Sequence, residues 1–280
     1  MNYHHSYHAG SFADVFKHSI LTLILQHIVK KPAPFCYVET HAGAGFYDLS
    51  SDQALKTQEA DAGVRQLLAF QGAFPYALEG YLKHVKEALS MDHYPGSPDF
   101  VAMLARPEDR LILNEFHAGT FQALKAHFER DQRVAMHQRD AYEFLPAVLP
   151  PKHATRGLIL IDPPFEKRDE AQSMTRVLRQ ALKKFRQGIY GLWYPITDKQ
   201  PIFRVDPDLS DVLQGFEVCM PVLYVRQPGP EPVGLIGTAM VIVNPPFGLQ
   251  ASLGLLLPFF ADVLGVAGEG SWAVLSEVSS

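Results

Sequence analysis

The sequence predicts an α/β protein with a mostly parallel sheet of seven strands and a helical insertion after the first strand. Short aliphatic runs, such as Leu-Ile-Leu-Ile at 158–161, are typical of strands that are buried on both faces of a parallel sheet. Segments with apolar residues at helical spacing lie between these runs, as expected of strand–helix–strand units. Residues 46–99 interrupt the alternation with a mainly helical pattern.

The length of 280 residues fits one domain, residues 1–280, in which 46–99 form a helical insertion subdomain. Two cysteines, Cys36 and Cys219, favour a reducing cytoplasm and predict no metal site. Residues 232–261 carry no charge, but glycines and prolines divide them into a strand and a short helix. This stretch therefore predicts buried core rather than a membrane span. The sequence as a whole gives no sign of an obligate protein partner.

Charge is unevenly distributed along the chain. The net charge is −5, with 24 Lys and Arg against 22 Asp and Glu in residues 1–204, and 1 against 8 in residues 205–280. This distribution is compatible with a local basic surface for a nucleic-acid partner, but it does not identify one.

The first predicted strand opens into a glycine-containing loop. Residues 35–45 read Phe-Cys-Tyr-Val-Glu-Thr-His-Ala-Gly-Ala-Gly, so the strand ends at Glu39 and the loop contains Gly43 and Gly45. Glycine there lets backbone amides approach a ligand closely. No third glycine follows at dinucleotide spacing, which weakens the case for a nicotinamide dehydrogenase.

Acidic residues follow the next two predicted strands. The run 111–114 ends before Glu115, which is placed either to accept hydrogen bonds from ribose hydroxyls or to serve as a surface or helix-capping acid. Asp140 and Ala141 begin a helix after an irregular third strand. Asp140 can receive an adenine amino group or simply cap that helix.

The fourth strand runs into Asp162-Pro163-Pro164-Phe165. Proline cannot donate to a strand ladder, so the acid lies at the carboxyl end of a central strand, where open α/β sheets bind ligands. This turn suits the methylation of an exocyclic amino group: the Asp162 carboxylate and the Pro163 carbonyl accept its two N–H groups, and Phe165 stacks on the base. The alternative is a proline-stiffened loop with a solvated acid.

Both ends of the chain carry further candidates. Ser11 or Asp14 is expected to cap a helix that continues to about Val29, and the His- and Tyr-rich tail ahead of it either reaches over a cleft or is a solvated terminus. A fifth strand, 188–194, is predicted to stop at Pro195. Its Trp193 and the following Tyr194 line a base pocket or belong to an aromatic core.

A second Pro-Pro-Phe turn follows the last predicted strands, 216–226 and 235–243. Asn244 there could rival Asp162 as the reactive residue. The turn follows the seventh predicted strand rather than the fourth, so we interpret it as structural.

Taken together, these motifs resemble the RlmJ family of class I S-adenosylmethionine-dependent methyltransferases, which have a Rossmann-like fold and methylate N6 of one adenine in bacterial 23S ribosomal RNA. The resemblance spans nearly the whole chain and rests on six motifs: Tyr-x-His-Ser-Tyr-His-Ala-Gly at 3–10, Ala-Asp-Val-x-Lys-His at 13–18, Thr-His-Ala-Gly-Ala-Gly at 40–45, Tyr-Pro-Gly-Ser-Pro at 94–98, Arg-Gly-Leu-Ile-Leu-Ile-Asp-Pro-Pro at 156–164 and Leu-Trp-Tyr-Pro at 192–195.

The resemblance implies S-adenosylmethionine as cofactor and 23S rRNA, unassembled or partly assembled, as partner. Asp162 would be the catalytic acceptor, and Tyr3 would approach the target adenine. The residues expected to contact the cofactor are His18, His41, Ser97, Glu115, Asp140 and Ala141, with Lys17 nearby and Gly43 in the loop. Two positions depart from the family pattern, since Ala141 replaces a glycine and Phe165 replaces a tyrosine.

The sequence is also compatible with other functions. The same Asp-Pro-Pro-aromatic turn suits methylation of a DNA adenine or of a protein glutamine. A third possibility is a nucleotide-sensing or RNA-binding module that keeps the fold without catalysis, although the intact acid and aromatic ring argue against it.

Overall fold

The computed structural model describes residues 4–152, 154–200, 202–229 and 234–276. Eight of the strands in these residues form one sheet, and two more form a short antiparallel ribbon. The strands are β1 (Phe35–Glu39), β2 (Phe46–Asp48), β3 (His93–Pro95), β4 (Arg110–Asn114), β5 (Val134–His137), β6 (Arg156–Ile161), β7 (Ile189–Thr197), β8 (Val218–Tyr224), β9 (Leu235–Val243) and β10 (Ser271–Leu275). The α-helices are α1 (Phe12–Ile28), α2 (Asp52–Thr57), α3 (Gln66–Ala69), α4 (Glu79–Leu89), α5 (Ser97–Leu104), α6 (Ala118–Phe128), α7 (Ala141–Val148), α8 (Glu170–Lys184), α9 (Pro207–Leu213) and α10 (Leu249–Leu264).

The large sheet has the order β10-β8-β9-β7-β6-β1-β4-β5. Strands β7, β6, β1, β4 and β5 are parallel neighbours, whereas β9 is antiparallel to both β7 and β8, and β10 is antiparallel to β8. This topology confirms the predicted α/β, Rossmann-like class. The sheet has eight strands rather than seven, because β10 was not predicted. No residue of β10 is buried, so this edge strand lacks the continuous aliphatic run that is typical of the central strands.

Alternating side chains along the strands supply two hydrophobic clusters, one on each face of the sheet. In β1, Tyr37 belongs to the first cluster, whereas Cys36 and Val38 belong to the second. Helices α1 and α10 contribute to the first cluster, and α7, α8 and α9 to the second. None of the helices in the described part of the chain is long and apolar enough to cross a membrane.

The segment between β1 and α5 is mainly helical, as the sequence predicts. It contains α2, α4 and a short π-helical turn that continues into α3, and the ribbon β2–β3 closes it. Phe46 pairs with Pro95 in the ribbon, and Gly96 N donates to Gly45 O at 2.7 Å. The ribbon therefore returns the chain to the end of β1 and places Ser97 there. The division into a domain and an inserted subdomain remains a prediction.

Two local predictions concern the ends of elements. The Ser11 side chain caps α1 by accepting a hydrogen bond from Asp14 N at 3.4 Å. The prediction that Pro195 stops the fifth strand is wrong, because β7 continues to Thr197. Its pairing with β6 ends at Leu192, and beyond this residue only β9 pairs with it. A proline is compatible with a stretch that has a strand partner on one side only.

The Asn244-Pro-Pro-Phe turn and Asp162 lie at opposite ends of the strands of the sheet. Because β9 is antiparallel to β7, and β7 is parallel to β6, the carboxyl ends of β9 and β6 point in opposite directions. Asn244 Nδ2 donates to Gly188 O at 2.7 Å and to Arg186 O at 2.9 Å. These contacts fit the interpretation of this turn as structural.

Candidate active site

A cavity of about 600 Å³ opens at the carboxyl ends of the parallel strands. Cavities of this size are typical of small-molecule and cofactor sites. Phe165 does not belong to its wall, and Tyr3 lies outside the described residues. The remaining ten predicted site residues all line the cavity: Lys17, His18, His41, Gly43, Ser97, Glu115, Asp140, Ala141, Asp162 and Pro163.

The central feature of the cavity is an ion pair between Asp162, after β6, and Lys17, in α1. Lys17 Nζ lies 2.7 Å from Asp162 Oδ2 and 3.0 Å from Asp14 Oδ1, and all three side chains are largely buried. One ammonium group thus bridges two carboxylates. Lys17 was predicted only to lie near the cofactor, and its contact with Asp162 was not foreseen.

Asp14 extends this network to the amino-terminal segment. Its Oδ2 accepts hydrogen bonds from Gly10 N at 3.0 Å and from the ring of His5 at 2.9 Å. Burial alone would raise the pKa of Asp14, but the neighbouring His5 and Lys17 outweigh it and hold that pKa well below its usual value. The sequence suggested Asp14 only as a helix cap. Its spacing of three residues from Lys17 on one helix was the available signal.

The amino-terminal segment forms part of the cavity wall. His5 and His8 line it, and His8 Nδ1 lies 2.7 Å from Glu59 Oε1 in the inserted segment. The hydrogen bond with Glu59 raises the pKa of His8 despite partial burial. Of the two readings of the tail, the described residues 4–10 favour the one in which it reaches over a cleft.

Glu115 connects the end of β4 to the glycine loop. Its Oε2 accepts a hydrogen bond from Gly43 N at 3.0 Å, and its Oε1 accepts one from His117 N at 2.8 Å. Each carboxylate oxygen has a second lone pair, so Glu115 can still accept hydrogen bonds from a ligand. Gly43 has a φ of +63°, a conformation that favours glycine.

Asp140 caps α7, which is one of the two roles that the sequence predicts for it. Its Oδ1 accepts hydrogen bonds from Tyr142 N at 2.9 Å and from Glu143 N at 3.2 Å. Capping and ligand binding are compatible here, because Asp140 also lines the cavity and its carboxylate has further lone pairs. Ala141 is buried at the first position of α7, beside the cavity.

Two histidines of the cavity wall are neutral at pH 7. His18 Nδ1 lies 2.9 Å from the Tyr94 hydroxyl, and burial holds the pKa of His18 well below its usual value. Burial likewise lowers the pKa of His41 to about 4, and its Nδ1 lies 2.8 Å from Thr40 Oγ1. A neutral imidazole can both donate and accept, so each ring can bind a polar group of a ligand.

Glu39, at the end of β1, is an acid for which the sequence predicts no role. It is fully buried and accepts a hydrogen bond from Ser97 Oγ. Burial raises the pKa of Glu39 to about 8, and the nearby Asp162 adds to the shift. Glu39 is therefore mainly protonated at pH 7 and holds the Ser97 side chain at the cavity wall.

Phe165 lies beside the cavity rather than in its wall. Its ring centroid is 5.9 Å from that of Trp193 and 5.6 Å from that of Tyr194. Trp193 and Pro195 of β7 do line the cavity. Of the two predicted β7 aromatics, Trp193 is thus in the pocket wall, whereas Tyr194 is buried in the core. Stacking of Phe165 on a base remains a prediction.

The residues present fit S-adenosylmethionine. Glu115 and Asp140 follow the neighbouring strands β4 and β5, where ribose and adenine groups bind in this class of cleft. Gly43 lines the cavity, and an added Cβ at this position would collide with the Tyr47 hydroxyl, so a side chain does not fit there. A Rossmann-like sheet with such a cleft and an Asp-Pro-Pro turn after its fourth strand defines a class I methyltransferase that uses S-adenosylmethionine.

Comparisons with known proteins identify the family. A family model described as "Ribosomal RNA large subunit methyltransferase D, RlmJ" matches residues 32–277. The chain is 36% identical to ribosomal RNA large subunit methyltransferase J of Escherichia coli K12, over 98% of this chain and 99% of that protein. It is 34% identical to the protein of the same name from Haemophilus influenzae, over 98% of each chain. The chain therefore belongs to the RlmJ family.

The fold is also found in a solved structure. A crystal structure of protein LPL1258 from Legionella pneumophila superposes with a TM-score of 0.86 at 29% sequence identity, covering 96% of this chain and 98% of that one. The overall arrangement is thus shared along essentially the whole length of both chains.

Proposed function

We propose that this protein transfers the methyl group of S-adenosylmethionine to the N6 amino group of one adenine in 23S ribosomal RNA. The observation that carries the proposal is the position of Asp162 and Pro163 together in the wall of the cofactor cleft. The relatives from E. coli and H. influenzae are named ribosomal RNA large subunit methyltransferases, which supports RNA as the substrate class.

The amino group of adenine needs activation, because its nitrogen lone pair is delocalised into the ring. Asp162 Oδ1 and the Pro163 carbonyl oxygen accept its two N–H groups, so the lone pair is directed out of the ring plane. Lys17 Nζ, 2.7 Å from Oδ2, fixes the orientation of the Asp162 carboxylate. When bound, S-adenosylmethionine would supply the methyl group of its sulfonium and would leave as the thioether S-adenosylhomocysteine.

Positive charge develops on the amino nitrogen as its new bond to carbon forms. The Asp162 carboxylate offsets this charge in a partly buried site, where electrostatic interactions are stronger than in water. The nitrogen then loses one proton, either to Asp162 or to water. Asp162 therefore has two roles, to hold the amino group and to stabilise its charge.

The cofactor is assigned to the side of the cleft that carries Glu115 and Asp140. Glu115 accepts hydrogen bonds from the ribose hydroxyls, and Asp140 and Ala141 receive the adenine of the cofactor. The other residues assigned to cofactor contacts are Lys17, His18, His41, Gly43 and Ser97. Support for this assignment comes from their common position in the cavity wall.

The target adenine must leave any base stack before it can enter a cavity of this kind. We therefore propose that the substrate is naked or partly assembled 23S rRNA, in which the target segment is accessible. The reaction then takes place in the cytoplasm, where ribosomes are assembled. Tyr3 remains predicted to approach the target adenine, but it lies outside the described residues.

The test is a comparison of methyl acceptors. S-adenosylmethionine with a labelled methyl group is incubated with unmodified 23S rRNA, with DNA and with a release-factor protein, and modified nucleosides are identified by mass spectrometry. We expect label in rRNA, as N6-methyladenosine. Transfer to DNA or protein instead would support one of the other methyl acceptors. RNA binding without transfer to any acceptor would indicate a non-catalytic module.

A further inference from the structure

Trp193 has no role in the cofactor assignment, yet it lines the cavity. The strand order places Trp193 on the side of Asp162 that is away from Glu115 and Asp140. From β5 through β4, β1 and β6 to β7, the sheet edge carries Asp140, Glu115, Gly43, Asp162 and then Trp193. Asp140, Glu115 and Gly43, which are assigned to the cofactor, therefore lie on one side of Asp162. Trp193 lies on the other side, in the part of the cavity that remains for a substrate.

The register between β6 and β7 brings Trp193 beside Asp162. Ile161 and Leu192 are the last pair of the parallel ladder. Asp162 and Trp193 directly follow this pair, so they lie at the same height along the two strands. Lys17 gives a second measure of their proximity. Its Nζ lies 5.8 Å from the centroid of the Trp193 ring and 2.7 Å from Asp162 Oδ2.

The indole ring is held in a fixed orientation. Its Nε1–H donates to Thr238 Oγ1 of β9 at 2.8 Å, and Thr238 is fully buried. Phe165 packs against the indole at an interplanar angle of 69°, close to edge-on. A ring held by a hydrogen bond and by an aromatic neighbour loses little additional freedom when a base stacks on it.

We propose that Trp193 supplies the ring on which the target adenine stacks, and that Phe165 supports this ring from the side. This inference rests on the proposed adenine substrate and adds a residue to its binding site. Stacking on Trp193 holds the plane of the adenine, while Asp162 and Pro163 hold its amino group. Because β7 is a strand of the central sheet, the stacking surface is more rigid than a loop residue would be.

Steady-state kinetics with Trp193→Leu and Trp193→Phe test the proposal. Trp193→Leu should raise the KM for 23S rRNA roughly 5- to 140-fold, the range that loss of one base–aromatic stack gives. Trp193→Phe keeps an aromatic face and should have a smaller effect. The KM for S-adenosylmethionine should stay unchanged in both. Phe165→Leu is the matched control, and its effect on the KM for RNA should be smaller than that of Trp193→Leu.

Fluorescence gives a direct readout of stacking. The chain has two tryptophans, so Trp272→Phe leaves Trp193 as the only tryptophan, and its emission is recorded with excitation that the tyrosines do not absorb. Adding unmodified 23S rRNA to this variant, saturated with S-adenosylhomocysteine, should quench the emission of Trp193. The Trp193→Phe variant, in which Trp272 is the only tryptophan, should show no such quenching of tryptophan emission on the same addition.

Two results would overturn the inference. One is a wild-type KM for RNA in Trp193→Leu, and the other is saturable RNA binding that leaves the emission of Trp193 unchanged. A larger effect from Phe165→Leu than from Trp193→Leu would assign the stacking to Phe165 instead. If the wild-type protein methylates no RNA at all, the proposed function fails, and this outcome is separate from the two above.

Discussion

Lys17 Nζ lies 2.7 Å from Asp162 Oδ2, although 145 residues separate the two in the chain. The same ammonium group lies 3.0 Å from Asp14 Oδ1. Helix α1 therefore positions the acid that follows β6, and the amino-terminal part of the chain takes part in the site directly. Lys17 is buried between two acids, so its charge both stabilises these buried carboxylates and orients the Asp162 carboxylate.

Replacing Lys17 by methionine should lower kcat about 100-fold, a loss comparable to that of one preorganised donor in other enzymes. The Asp162 carboxylate would lose the contact that orients it. Stability should fall as well, by about 3–5 kcal/mol, because two buried carboxylates would lack their cation. Single-turnover transfer and thermal unfolding measure the two effects. Lys125→Met, at an exposed position of α6, is the control, and a folded Lys17→Met protein with wild-type kcat would contradict the prediction.

Asp162→Ala should keep cofactor binding and abolish methyl transfer. Removing the carboxylate eliminates one acceptor for the amino group and the negative charge that offsets the developing positive charge, which together are expected to cost at least about 100-fold in rate. Calorimetric titration with S-adenosylmethionine measures binding, and the labelled-methyl assay measures transfer. Asp169→Ala, an exposed acid shortly after the same turn, should retain full activity. Wild-type turnover in Asp162→Ala would rule out its catalytic role.

Gly43→Ala should weaken cofactor binding about tenfold, which corresponds to about 1.4 kcal/mol. Alanine is strained at the φ of +63°, and its Cβ would collide with the Tyr47 hydroxyl, so the loop must shift away from Glu115. The KM for S-adenosylmethionine is the measurement. Gly119→Ala in α6 meets no atom within 4 Å and should leave this KM unchanged. An equal KM in both variants would show that the loop tolerates a side chain.

The fold and the acids at the strand ends could be predicted from the sequence because they depend on local patterns. Buried strands such as β6 are continuous aliphatic runs, and an acid directly after such a strand must lie at its carboxyl end. Asp162 and Glu115 were found in this way. The identification of further contacts, such as His18 and Ser97, came from resemblance to a family rather than from spacing.

Long-range contacts could not be predicted from these patterns. The pairing of Lys17 with Asp162 depends on how α1 packs against the sheet, and no local signal in either segment contains that information. The continuation of β7 through Pro195 depends on which of its sides has a partner strand. Similarly, the protonated state of Glu39 follows from complete burial, which a residue at a strand end does not reveal in the sequence.

Glu39 should make stability depend on pH between 6.5 and 8. Its pKa is raised from 4.5 to about 8, so the folded protein keeps a proton that the unfolded chain releases, and stability falls as pH rises through this window. The fall should be about 1–2 kcal/mol, since one proton corresponds to about 1.36 kcal/mol per pH unit. His41, whose pKa is lowered from 6.5 to about 4, acts in the opposite direction but below pH 6.5.

Glu39→Gln is the matched variant for this effect. Glutamine has nearly the same shape and can still accept the hydrogen bond from Ser97, but it does not titrate. Denaturant unfolding at pH 6.5 and pH 8 measures the free energy of unfolding of both proteins. The variant should lose less stability than the wild type between these two values. Equal losses would mean that Glu39 is not the group that titrates.

Asn244→Ala should lower stability without affecting catalysis, which separates the two Pro-Pro-Phe turns. The Asn244 side chain donates to Gly188 O and Arg186 O, and leaving the buried Gly188 carbonyl without this donor should cost about 1–3 kcal/mol. Asn244 also has a φ of +54°, which asparagine tolerates better than alanine does. The turn and the cavity lie at opposite ends of the strands of the sheet. The kcat and both KM values should therefore stay at the wild-type level at a temperature where the variant is folded. A fall in kcat of the size expected for Asp162→Ala would instead place Asn244 in the reaction.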